Sequence, residues 1–209
     1  MEVIKFGGSS LMNSSTIHRV GKILLSRRKN KKILVLSAMG GMTNELILLG
    51  KLACDGNTEY KAVCQVLRER HQNTLIELAA SKDVSEVELE IKGLLDELEE
   101  LCYGIYLLRE LSDRSRDELI AFGERLSIPL VVSHLRRCGL SVRRVDARSW
   151  IKTDANHGAA HVIPEKTKKA ILDGLAIESE SGWEILAMEG FIGMAPDGST
   201  TTLGRGGSD

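Results

Sequence analysis

The run Ile33-Leu34-Val35-Leu36 contains no polar residue and ends at once in small ones, Ser37-Ala38 with Gly40-Gly41 behind them. A strand that is apolar at every position, rather than at alternate ones, needs cover on both faces, which is the condition of a strand inside a parallel sheet flanked by helices. Upstream, Ile17, Val20, Ile23, Leu24 and Leu25 recur at helical spacing and stop at Arg27-Arg28-Lys29-Asn30-Lys31-Lys32. Cations suit a helix C-terminus, and no aromatic interleaves them as in a nucleic-acid patch. Further upstream, Val3-Ile4 leads into Lys5-Phe6-Gly7-Gly8-Ser9-Ser10. Strand, helix, strand is a βαβ unit, so the chain is α/β, with an open, mostly parallel sheet between helical layers in an αβα sandwich.

Both strands stop at small-residue loops that open a helix. At the first, backbone N–H groups of Gly7 and Gly8, a helix start and the Lys5 ammonium make a phosphate cradle; the alternative is an ordinary turn beside a surface lysine. At the second, Thr43 reads as the N-cap and Glu45 as a first-turn acid. In an open parallel sheet such loops flank one crevice, into which the Ser37 and Thr43 hydroxyls face.

From about residue 45 to 111 the pattern is helical and proline-free, a helical lobe inserted over the sheet edge beside that crevice. Ser85-x-x-Glu88 and Ser115-x-x-Glu118 read as capping boxes. The second opens a helix through Phe122-Gly123-Glu124-Arg125 to Cys138, in which Glu124 projects from a face made by Ile120, Ser127, Ile128 and Val131. A carboxylate there needs a partner, either an arginine such as Arg114 or Arg116 or a cationic ligand.

The remaining chain alternates again. Ser141–Val145 reads as a strand, residues 146–150 as a turn of helix, Thr153–Gly158 as a polar loop, Pro164 as a helix start, Trp183–Met188 as a strand with Phe191-Ile192-Gly193 as its continuation, and Asp197-Gly198 as a hairpin turn. His157 and His161 have no carboxylate or cysteine at ligand spacing and read as loop and strand residues. Thr200–Thr202 reads as a strand leading to Gly204-Arg205-Gly206-Gly207-Ser208-Asp209, in which Arg205 is suited to a carboxylate or phosphate.

With 28 Lys+Arg against 29 Asp+Glu, the chain carries no basic field, which points to a small-molecule partner rather than nucleic acid or an anionic membrane. Cys54, Cys64, Cys102 and Cys138 lie far apart in helical patterns and read as reduced core residues. No basic-then-apolar leader follows Met1, and no apolar stretch reaches the roughly 20 residues that span a bilayer, so the expected location is cytoplasmic.

Taken together, Lys5-Phe6-Gly7-Gly8-Ser9-Ser10, Ser37-Ala38 with Thr43-Asn44, Phe122-Gly123-Glu124-Arg125-Leu126-Ser127, and Thr200 to Asp209 resemble, in order, the motif set of aspartate kinases in the amino-acid kinase superfamily. The resemblance implies transfer of the γ-phosphoryl group of ATP, with Mg2+, to the side-chain carboxylate of L-aspartate, the first step toward lysine, threonine and methionine. By it, Lys5 and Asp209 are catalytic, Asp209 orienting Lys5 or helping to hold the metal. Lys5, Gly7, Gly8, Ser9, Gly206, Gly207 and Ser208 hold the ATP phosphates. Ser37, Ala38, Thr43, Glu124 and Arg205 bind the amino acid, Glu124 taking its ammonium and Arg205 a carboxylate. Ser9 stands where many family members carry threonine. The family continues past this stretch, so residues 1–209 are expected to be a partial catalytic domain with little of the adenine pocket, inactive alone and homo-oligomeric in the full-length protein. The alternatives are another amino-acid kinase, the kinase part of a bifunctional aspartate kinase/homoserine dehydrogenase, or a non-catalytic protein that keeps the fold for amino-acid binding or assembly.

Overall fold

The apolar run at 33–36 is covered as its composition requires. Leu34 and Leu36 enter one apolar cluster, with Phe6, Ile185 and Ala187 from the neighbouring strands, while Ile33 faces the other way into a second cluster with Trp150, Trp183, Leu186 and Met188. Leu34 and Leu36 are fully buried, worth roughly 1.5–3 kcal/mol each in area removed from water.

The computed structural model describes residues 1–79, 84–179 and 182–204. β1 (Glu2–Phe6) leads through a short 3-10 turn (Gly8–Leu11) to α1 (Ser14–Ser26) and β2 (Lys32–Leu36). Then come α2 (Met42–Cys54), α3 (Tyr60–Ala79), α4 (Ser85–Leu108) and α5 (Asp113–Arg137), followed by β3 (Val142–Arg144), α6 (Ala147–Trp150), α7 (Pro164–Glu178) and β4 (Ile185–Glu189). A hairpin, β5 (Ile192–Met194) and β6 (Thr200–Thr202), closes the described chain. β1, β2, β4 and β3 form, in that order, a parallel four-stranded sheet. The registers Phe6↔Leu36 and Leu36↔Glu189 bring the carboxyl ends of β1, β2 and β4 level with one another. β5 and β6 form a separate antiparallel pair.

α5 is the organising helix. It is apolar on nearly every side from Leu119 to Leu135, the pattern of a helix with neighbours all round, and it packs against α1, α2, α3 and α4 as well as β2, β3, β4 and β6. Pro129 lies within it without ending it. The stretch read as a helical lobe is α2, α3 and α4, which share one apolar cluster with the sheet residues. α6 and α7 supply the layer on the opposite face, with Ile171 and Leu175 packed against the second cluster.

Helix starts differ from the sequence expectation. The cap of α2 is Gly41, in the left-handed region at φ 85°, and Thr43 lies inside the first turn. The cap of α4 is Val84, not Ser85, and that of α5 is Ser112, whose hydroxyl accepts from the Ser115 amide, so neither expected capping box forms. Phe191 to Gly193 does not prolong β4: Phe191 adopts φ 64° and turns the chain into the hairpin. All four cysteines are free, Cys64 and Cys102 buried but Cys54 and Cys138 only partly so.

Candidate active site

The crevice is built where the carboxyl ends of β1, β2 and β4 meet the middle of α5. Glycines permit the close approaches. A Cβ on Gly8 would lie 3.3 Å from the Ala38 carbonyl oxygen, and one on Gly40 would lie 3.0 Å from that of Gly8, so the two loops are stacked directly on each other. A Cβ on Gly123 would come within 2.9 Å of the Ala38 Cβ. α5 is thereby seated on the loop after β2, and the next residue, Glu124, reaches its backbone.

Glu124 is 3% exposed. Its Oε1 accepts from the Ala38 amide at 3.1 Å, and its Oε2 is buried with no hydrogen-bond partner. Burial pushes its carboxyl up to about 7; the Ala38 N–H opposes the shift and the nearby Glu189 adds to it. The arginines considered as partners are engaged elsewhere: Arg114 faces Asp197 at 3.5 Å and Arg116 faces Asp113 at 3.4 Å. Arg125 pairs with Glu97 and Glu118 and lies over the Phe122 ring. Among the described residues, Glu124 has no cationic partner, and a buried carboxylate without one is costly to ionise.

Around it, Ser127 Oγ donates to the Ser37 carbonyl at 2.7 Å, fixing the loop after β2. Ser37 itself is half-buried, as are Lys5, in register with Val35, and Thr43. Gly7 is extended, Gly8 opens the 3-10 turn, and Ser9 is exposed on it. The structure thus brings Ala38 and Glu124 into contact and stacks Gly8 on the same loop. Arg205, Gly206, Gly207, Ser208 and Asp209 lie outside the described residues.

Two acidic residues escaped the sequence reading. Glu189, at the end of β4, is buried with its Oε2 accepting from the Ala147 amide at 2.9 Å, and burial raises its carboxyl above the ordinary range. Asp117 is completely buried and gathers three segments: it accepts from the Gly158 amide, from the amide and hydroxyl of Thr202, and pairs with His157 Nδ1 at 3.0 Å. The available signal was helical spacing, since Asp117 precedes Glu124 by two turns on one face of α5. His161 likewise finds a carboxylate, Asp154, at 3.2 Å. Leu203 donates to the Phe191 carbonyl at 2.9 Å, which returns the hairpin to the end of β4, beside the crevice.

The amino acid kinase family matches residues 1–209. The chain belongs to that family. Aspartokinase 1, chloroplastic, of Arabidopsis thaliana is 34% identical over 99% of this chain and 36% of its own length. Lysine-sensitive aspartokinase 3 of Escherichia coli (strain K12) is 32% identical over 99% of this chain and 44% of its own. Of solved structures, E. coli aspartokinase III in complex with lysine and aspartate superposes with a TM-score of 0.89 at 30% identity, and the same protein in complex with aspartate and ADP with 0.88, each over 100% of this chain and 44% of theirs. This amino acid kinase chain therefore spans less than half the length of the relatives it matches, and its four-stranded parallel sheet with helices on both faces is their fold. Among the described residues, no helix is long and apolar enough to cross a membrane.

Proposed function

We propose that this chain binds L-aspartate in the crevice under α5 and is the amino-acid side of an aspartate kinase, which transfers the γ-phosphoryl group of ATP to the aspartate side-chain carboxylate. The observation that carries the reading is Glu124: a buried carboxylate with one oxygen held by Ala38 and the other unpartnered is a receptor for an α-ammonium group. The solved relatives in complex with aspartate and with ADP support the choice of ligands. In this reading Ser37, Ala38 and Thr43 line the amino-acid site, Arg205 takes a substrate carboxylate, and Lys5 with the Gly7 and Gly8 amides meets the charge on the moving phosphoryl group. The nucleophile is already a carboxylate, so no general base is required.

Magnesium belongs to this chemistry and would neutralise phosphate charge. Among the described residues no group of three or more His, Cys, Asp or Glu is placed to hold a metal ion, and Asp209 lies outside them. Four free cysteines suit a reducing compartment such as the cytoplasm.

The test is calorimetric titration of the chain with L-aspartate and L-glutamate, beside trapping of the acyl phosphate with hydroxylamine in the full-length protein. Aspartate binding weakened about tenfold or more by Glu124→Gln supports the reading. Activity with glutamate alone overturns the substrate, and undiminished aspartate binding by Glu124→Gln overturns the role of Glu124.

A further inference from the structure

A cavity of about 350 Å3, to which Glu124 does not contribute, lies between α7 and β5. Three ammonium-bearing side chains line it, Lys152, Lys166 and Lys169, against one carboxylate, Asp173. The arrangement is held in place. Thr167 Oγ1 donates to the Lys152 carbonyl at 3.1 Å and accepts from the Lys152 amide at 3.0 Å, which clips the start of α7 to the strand-like segment carrying Lys152. Lys152 Nζ is steadied by the Arg148 carbonyl at 2.9 Å and keeps further N–H groups. Lys166 and Lys169, three residues apart on one face of α7, form no ion pair or hydrogen bond among the described residues, and neither does Asp173.

Three cations against one anion leave a net positive charge around this concave space, screened by water at the exposed Lys166 and Lys169 when it is empty, and the volume matches the small end of ligand pockets. We propose that this cavity binds a small polyanion, of the size of a phosphorylated or polycarboxylate metabolite, at a place distinct from the Glu124 crevice. The walls connect the two. Thr153, also lining the cavity, donates its backbone N–H to the Met194 carbonyl at 3.0 Å and joins its hydroxyl to that of Thr201 at 2.7 Å, and the next residue, Thr202, is held by Asp117 on α5. A ligand on the lysines therefore bears on the hairpin that lies beside the crevice.

The experiment is titration of the chain with pyrophosphate and, in parallel, citrate, followed by calorimetry. Pyrophosphate has a second candidate location at the Lys5 loop, so each titration is run in wild type and in Lys5→Ala. The site predicts saturable binding that persists in Lys5→Ala, falls about tenfold or more in Lys166→Ala/Lys169→Ala, and changes less than about twofold in Lys168→Ala, which removes an equal charge from the same helix outside the cavity. Asp173→Asn should tighten it. Binding of either probe with this pattern supports the site, and which probe binds tells phosphate from carboxylate recognition. No binding by either, loss of binding in Lys5→Ala, or equal weakening by Lys168→Ala overturns it. Unchanged thermal unfolding of these surface variants excludes a folding defect.

Discussion

The Glu124 carboxylate holds a proton more tightly in the folded chain than in the unfolded one, about 7 against an ordinary 4.5, because burial penalises its charge. The folded state therefore binds more protons between those values, and the stability of the unliganded chain falls as pH rises from about 4.5 to about 7 and levels off above. The fall is at most ~3 kcal/mol. Glu124→Gln, whose amide oxygen still accepts from Ala38, should lack this component when urea unfolding is followed across pH; an unchanged profile would mean that Glu124 is ionised without a ligand. Glu189 tunes the same group. Removing its charge with Glu189→Gln leaves an acceptor for the Ala147 amide and lowers the proton affinity of Glu124. Below pH 7 aspartate should then bind more tightly than to wild type, by up to severalfold, and a pH series of titrations reads the shift. At this scale the odd residue in an apolar pattern was legible: Glu124 stands out from Ile120, Ile128 and Val131. The cation it lacks was not, because Arg114 and Arg116 are as close in sequence as any partner and only the structure turns them toward Asp197 and Asp113.

Among elements, periodicity read the helices and left their ends uncertain. The pattern Ser-x-x-Glu occurs as readily just inside a helix as at its cap, and so Ser85 and Ser115 fall one and three positions past the observed caps Val84 and Ser112. The break after β4 was invisible for another reason: a phenylalanine at φ 64° is set by the tertiary return of Leu203 to its carbonyl, not by any local preference. Close approach between elements is legible only as glycine, and the glycines are not equivalent. Gly123 holds α5 against Ala38, so Gly123→Ala should cost about 1–3 kcal/mol and weaken aspartate binding by displacing the Ala38 amide from Glu124. Gly93, exposed within α4 with nothing within 4 Å of a built Cβ, should instead stabilise the chain by about 0.5–1 kcal/mol when changed to alanine. Thermal unfolding of the two variants compares them directly, and equal effects would contradict the packing of α5 on the loop after β2.

At the scale of the molecule, one buried side chain ties a loop and a strand of the hairpin to the central helix. The parallel sheet and its helices are bound by the apolar clusters, which take in only Ile192 and part of Phe191 from the hairpin region, and the 154–160 loop and β6 are fastened to α5 by Asp117, whose bonds to Thr202 span 85 residues of sequence. That separation is why the sequence reading assigned His157 and Asp117 no common role. A carboxylate accepting from two amides, a hydroxyl and an imidazole uses most of its lone pairs, and an amide side chain has one acceptor oxygen with a donor in place of the other. Asp117→Asn must therefore leave an amide of Gly158 or Thr202 facing an N–H group in a buried place, at about 2–4 kcal/mol. Because the apolar clusters are untouched, the loss should appear as local opening rather than global unfolding. Amide hydrogen exchange distinguishes the two. Gly158, Ala160 and Thr202 should exchange faster by about two orders of magnitude or more, while the amides pairing β1, β2 and β4 keep their protection. Uniform acceleration across the sheet would show instead that Asp117 supports the whole fold. If opening is confined to the hairpin, aspartate should still reach Glu124 but bind more weakly, since the segment that returns to Phe191 would no longer be held beside the crevice.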